Sequence, residues 1–363
     1  MEGQQDNTRK AIKILRPRNI LLPIILGLGL VAYLFLTDED RPENIWQLIR
    51  KADVGHLILA FIVMIARDVG YTYRIRIITN KELTWWNAFI VIMLWEFASA
   101  VTPSVVGGTA AAIFILMVEK IKFGRSIAYV MLTAIFDNLF FIIAAPLALV
   151  FLQGEHLFIV VRPSGSEYNL FGFFLFSYIL ITFYTVIMSY ALFVRPRGFK
   201  WLMLKVTSWK ILRRWRNAAN EQGNEVILAS HNLVGKSPAY WIKIIMSTIF
   251  IWSSRYLIVN FLAGAYVSIP LAEHFSIFGK HIIMWITMLV SPTPGSSGTA
   301  EYIFPLFYDE ILQKYTLIVG TLWRMMTYYP YLIVGAIMIP RWIRKALKNR
   351  KTKEEKQTGK ESD

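Results

Sequence analysis

Three stretches of this chain, 20–36, 171–194 and 315–339, run for 17 to 25 residues with almost no polar side chain on any face. A helix that is apolar all round needs lipid or other helices as its solvent, and about 20 such residues span the ~30 Å hydrocarbon core of a bilayer. With 55% apolar and only 17% charged residues among 363, the chain reads as an all-α, polytopic membrane protein. Full spans are expected at 19–36, 55–78, 126–152, 171–194, 240–262 and 314–339. Two more apolar stretches, 84–118 and 275–308, are interrupted near the middle by Pro and Gly. Broken backbone at membrane depth is tolerated where protein or a cavity surrounds it, so these read as re-entrant hairpins.

Charge sets the orientation. Of 39 Lys/Arg, 30 fall in segments 1–18, 74–84, 119–125, 195–243 and 341–363, and six fall in the segments that alternate with them. By the positive-inside bias this places both termini in the cytoplasm. The net charge of +15 therefore follows the membrane, and nucleic acid is not an expected partner. The chain divides into a basic N-terminus (1–18), a first membrane half (19–194), a basic connector (195–239), a second half (240–340) and a charged tail (341–363). The first apolar run follows basic residues but lacks a small-residue cleavage site, which favours an uncleaved anchor. Within the connector, 199–217 interleaves Trp201, Leu202, Val206 and Trp209 with lysines and arginines and reads as an amphipathic helix on the cytoplasmic surface.

The two interruptions are related. GTAAAIFIL at 108–116 returns as GTAEYIFPL at 298–306, six of nine positions matching at an offset of 190 that Trp95 and Trp285 share. An odd number of spans separates the copies, so the hairpins enter from opposite faces and the repeat is inverted. Transporters build midplane sites this way. In the second break Pro294, Gly295, Gly298 and Thr299 precede a half-helix whose first N–H groups have no partner in the helix; Gly107, Gly108 and Thr109 do the same in the first. Such ends suit phosphate or carboxylate. The plainer alternative is a pair of tight turns between packed helices.

Seven charges lie within apolar segments: Arg67, Asp68, Glu96, Asp137, Arg255, Glu301 and Arg324. Each costs roughly 2.5–3.5 kcal/mol at a helix centre on insertion scales, so each is a candidate for function or for structural pairing. Arg67 and Asp68 project about 100° apart and are expected to meet different partners. Arg324, with Tyr328 beside it, offers a guanidinium fork for phosphate, or a bridge to Glu301. Asp137, Asp68 and Glu96 are candidates for gating or counter-charge. Cysteine is absent, and the five histidines lack ligand spacing. No Walker loop or HExxH occurs. Neither a metal, a cofactor nor a catalytic residue is expected.

SPTPGSSGTAEYIFPLF, followed by TLWRMMTYYPYLIVGA, resembles the signature of the flippase-like, lysylphosphatidylglycerol synthase transmembrane family. RDVGYTYRIRII and TPSVVGGTAAAIFIL extend the resemblance into the first half. On that basis Pro294, Gly295 and Gly298 match the family's turn, Glu301 its acid and Arg324 its late arginine. The first half departs: Thr109 stands where the family often has an acid, and Thr133 and Ala134 stand where it often has a Glu-Arg pair, with Asp137 kept. The resemblance implies a bacterial inner-membrane module that moves lipid, here without the synthase domain fused to it in the multiple peptide resistance factor. A separate lipid-synthesis enzyme is then a possible partner. The expectation is a translocase for lipids or lipid-linked headgroups, membrane lipids with anionic headgroups being its ligands. A small-solute or ion transporter, a lipid-modifying transferase and an accessory subunit are the alternatives.

Overall fold

The computed structural model describes residues 45–102, 104–152, 158–161, 167–209, 212–340 and 342, with isolated positions 25, 29 and 33. The expected anchor 19–36, the N-terminus and the tail thus lie outside the described residues, those positions and Trp342 aside.

After the short α1 (Ile45–Arg50), the Asp53 carboxylate accepts the Gly55 N–H at 2.6 Å and opens α2 (Val54–Ile78). Thr84 caps α3 (Trp85–Val101) in the same way. That helix ends because a proline ring drives the residue before it out of the helical region, and Thr102 is extended at ψ 138° ahead of Pro103. The chain resumes at once as α4 (Ser104–Val118), packed on α3 with Gly108 against Ser99. The long α5 (Phe123–Phe151) follows. A short antiparallel ribbon, β1 (Ile159–Val161) with β2 (Glu167–Asn169), is the one sheet among the described residues.

The chain continues into α6 (Phe171–Ser189), which loosens into a π-turn over Tyr190–Val194. The connector holds two helices, α7 (Pro196–Val206) and α8 (Arg216–Val234), packed on each other, where one amphipathic helix over 199–217 was expected. Apolar Trp201 and Leu202 stay exposed on α7, while α8 buries Val226 and Ala229 and packs on α5. The second half comprises α9 (Pro238–Gly264), α10 (Leu271–Met288), α11 (Thr299–Leu312), α12 (Thr316–Thr327) and α13 (329–340). Expected as one span over 314–339, the last two are separated at Tyr328 (φ −128°, ψ −61°), two residues before Pro330, which has no N–H to give back to Met326.

Among the described residues, four helices are long and apolar enough to cross a membrane: α2, α5, α6 with its π-turn, and α9. Ile58, Ile62, Ile65 and Val69 form an exposed stripe on α2, and Phe173, Phe176, Leu180 and Phe183 another on α6. Exposed apolar surface of this extent is a lipid-facing belt. Inside the bundle α2 and α9 lie in close contact. Gly70 permits it, since a Cβ there would stand 2.9 Å from Ile251.

The core forms two clusters at opposite ends of the long helices. One gathers α3 and α4 with the C-terminal end of α2 (Tyr71, Ile75, Ile78) and the N-terminal end of α5 (residues 127–135). The other gathers α10, α11 and α12 with Ala60 of α2, the second half of α5 (Phe141, Ala145, Ala148) and the second half of α9. The two broken apolar stretches therefore pack at opposite ends of a common scaffold.

Candidate functional site

A cavity of about 300 Å³ lies where these two clusters meet, walled by α2, α3, α5, α9, α10 and α12. Both breaks reach it, Thr102 and Thr109 from the first and Ser291, Thr293 and Gly295 from the second. The offset of 190 seen in the nonapeptide also relates wall positions: Trp95 with Trp285, Ala134 with Arg324, Asp137 with Thr327, and Asn138 with Tyr328.

Three arginines border the cavity, and each faces a carboxylate. Arg74 holds Asp137 with two contacts, 2.5 and 3.0 Å, and also reaches Thr248 at 2.9 Å, while Trp252 donates its indole N–H to Asp137 at 2.7 Å. Arg324 Nε donates to Glu301 at 2.8 Å and Nη2 to the Gly295 carbonyl at 3.3 Å, with the Tyr328 ring centred 3.8 Å from the guanidinium carbon. Arg255 stands 3.6 Å from Glu96, beyond hydrogen-bonding distance, and makes one long bond of 3.4 Å to Tyr71.

The two breaks differ in backbone. Residues 289–298 leave the helix altogether, with Gly295, Ser296 and Gly298 at φ 56°, 53° and 84°. At the same offset the first half has Val105 and Val106, whose branched side chains disfavour positive φ, and there α4 is already helical from Ser104. The expected pair of matching turns is one sharp corner and one extended loop. In the loop Gly295 approaches the Ala100 carbonyl and the Tyr328 ring so closely that a Cβ has no room, and Tyr328 donates its hydroxyl to Ala100 at 3.0 Å. This joins the end of α3 to the second break.

The start of α11, expected to present bare N–H groups, holds an internal anion. Glu301 accepts the Gly298 N–H at 2.7 Å through one oxygen and binds Arg324 through the other. Thr299 accepts from Ser291 at 2.8 Å. Pro294, Gly298, Thr299 and Glu301 thus build the loop behind the wall, whereas Thr109, Glu96, Asp137, Arg255, Gly295, Arg324 and Tyr328 face the cavity. Pro103 lies outside the described residues, and for Gly107 only the helical backbone is described.

Arg67 and Asp68 do not find separate partners. Arg67 reaches round to Asp68 with Nε (3.1 Å) and Nη2 (2.7 Å), and Tyr331 of α13 accepts from Arg67 while donating to Asp68 at 2.8 Å. A long arginine stem bridges the 100° between neighbours when burial leaves no water to take the charge. Tyr331 lines the cavity, and the pair sits behind it.

Arg74, Trp252, Thr248 and Tyr331 are the residues that sequence reading missed. Arg74 counted there as a loop charge, yet its side chain is buried within α2. Arg67, Tyr71 and Arg74 follow at i, i+4 and i+7, the spacing of one helix face, and that stripe was the available signal.

A family model described as the lysylphosphatidylglycerol synthase TM region matches residues 20–335. A UPF0104 membrane protein of Archaeoglobus fulgidus is 22% identical over 331 residues, covering 88% of this chain and 95% of that protein. No solved structure matches the chain. The matched segment takes in both halves, both breaks and all three arginine–carboxylate pairs of the cavity, and the chain, a multi-pass membrane protein, belongs to the lysylphosphatidylglycerol synthase transmembrane region family.

Proposed function

We propose that the chain translocates a lipid or lipid-linked headgroup, gripping its phosphate in the central cavity while the tails stay in the bilayer. The observation that carries this reading is the cavity itself: buried arginines at mid-scaffold, with one broken helix arriving from each end. Guanidinium groups match phosphate oxygens with paired N–H donors, and in a low-dielectric site those bonds are strong. Alternating access then exposes the cavity to either face, with 84–118 and 275–308 as re-entrant hairpins in inverted repeat among six spans, N-in and C-in. Packing of the hairpins at opposite ends of α2, α5 and α9 supports that arrangement, and so do the basic residues around Lys81, Lys122 and Lys236 at one end.

Transport is favoured over lipid modification because the three carboxylates at the cavity each face an arginine, which makes them poor general bases. The location in this reading is the bacterial inner membrane, and a separate lipid-synthesis enzyme supplies the cargo. The test is reconstitution into vesicles with acyl-chain-labelled phospholipids and a membrane-impermeant quencher. Faster loss of the protected inner-leaflet signal than in protein-free vesicles, slowed at least about tenfold by Arg255→Ala, is expected. No movement of any phosphate-bearing lipid, or movement that Arg255→Ala leaves at the parent rate, would overturn it.

A further inference from the structure

The three ion pairs at the cavity are unequal. Arg74 with Asp137 and Arg324 with Glu301 are closed, each carboxylate accepting a further N–H, from Trp252 or from Gly298. Arg255 with Glu96 is open. Of the five N–H donors of Arg255, one is used, in a 3.4 Å bond, and among the described residues no hydrogen bond reaches Glu96. This pair also combines exposure on both sides, 23% and 18% of the two side chains, against 7% and 2% for Arg324 and Glu301.

An anion arriving at Arg255 displaces Glu96 and leaves that carboxylate without a counter-charge in a half-buried wall. A cation at Glu96 does the same to Arg255. A ligand carrying both charges satisfies each partner at once. The site as a whole also balances, three arginines against Glu96, Asp137 and Glu301, so a ligand of zero net charge enters without leaving an uncompensated one. Trp95 and Trp285 border the same space, Trp285 stacked on Phe141 at 3.9 Å, while the Tyr71 ring already carries the Arg74 guanidinium.

We propose that the headgroup is zwitterionic, its phosphodiester bound by Arg255 and its primary ammonium by Glu96, the open ion pair acting as a divided receptor. This rests on the translocase reading and names its substrate class. The experiment uses the full chain in vesicles of equal parts phosphatidylethanolamine and phosphatidylglycerol, carrying a trace of one or the other labelled on its acyl chain. Phosphatidylethanolamine is expected to cross at least about tenfold faster, the ratio that one charge-assisted hydrogen bond supports. In Glu96→Gln that ratio falls to near one. Phosphatidylglycerol crossing as fast or faster, or a ratio untouched by Glu96→Gln, overturns the zwitterion while leaving translocation standing. Movement of neither lipid overturns both. If Glu96→Gln fails to fold, the ratio in the unmodified protein decides alone.

Discussion

Removing Arg324 separates an interaction from the environment that gives it strength. Its Nε lies 2.8 Å from Glu301, and Arg125 lies 2.7 Å from Glu82, so geometry does not distinguish the pairs. Burial does: 7% and 2% of the side chains are exposed in the first, 26% and 36% in the second. Unit charges about 4 Å apart attract by roughly 4 kcal/mol at an effective dielectric near 20, and by about 1 in water. Arg324→Ala strands Glu301 with the Gly298 N–H as its remaining hydrogen-bond partner, at an expected cost of about 3–5 kcal/mol. Glu301→Ala strands the arginine and also removes the helix cap, adding about 1 kcal/mol that persists in the double variant and so drops out of the cycle. The coupling across the Arg324/Glu301 cycle is expected at about 2–3 kcal/mol, against 0.2–1 kcal/mol or less for Arg125/Glu82. Both are measured by SDS-induced unfolding in mixed micelles, followed by tryptophan fluorescence, since Trp323 adjoins the site. Equal couplings, or an Arg324/Glu301 value below about 0.5 kcal/mol, would refute the argument from burial.

Tyr331→Phe removes the hydroxyl shared by Arg67 and Asp68 and is expected to cost about 1–3 kcal/mol in the same unfolding measurement; an unchanged midpoint means that this knot does not hold α13 to α2. Gly295→Ala meets both a positive φ of 56° and the Ala100 carbonyl at 2.8 Å, whereas Gly298→Ala meets only strain at φ 84° with open space around it, so the first is expected to destabilise more by at least about 1 kcal/mol, and the reverse order counts against the loop geometry.

The scaffold was legible because its signals are local. Apolar runs long enough to cross a bilayer mark α2, α5, α6 and α9, and Pro103 and Pro294 with their glycines mark both interruptions. Of the charges inside apolar segments, Arg255, Arg324, Glu96 and Asp137 border the cavity, and Arg67, Asp68 and Glu301 stand behind it. Arg74 escaped because its place near the end of α2 is ordinarily where an arginine reaches the headgroup layer; only contact with α5 and α9 shows it turned inward to Asp137 and Thr248. The unlike backbones of the two breaks are also written in the chain, as Val105 and Val106 against Gly295 and Ser296, just ahead of the matching nonapeptides. Partner choice is the part that no local signal carries. Whether Arg67 meets its neighbour or a distant acid depends on what α13 places beside it, and Tyr331 is 264 positions away.

The nonapeptide match and the charges that stand in one copy alone together set how firmly each broken stretch is held. In the second half the ion pair joins α11 to α12, so the loop, its half-helix and the following helix are tied together by a buried bridge. At the offset of 190 the first half has Ala111 and Ala134, and no such bridge can form there. Asp137 on α5 turns away from α4 to Arg74 on α2 and the Trp252 indole on α9, which reinforces the long-helix scaffold. At the cavity α3 meets α9 through Arg255 and Glu96 at 3.6 Å, and the junction of α12 and α13 through the Tyr328 hydroxyl. A motion that parts α3 from α9 therefore breaks one open ion pair, whereas a motion that parts α11 from α12 must unmake a closed one in a water-poor interior. Charge thus ties the second broken stretch within its own half and leaves the first held mainly by packing, and the side of the cavity with the weaker tie is the side on which Arg255 and Glu96 stand open.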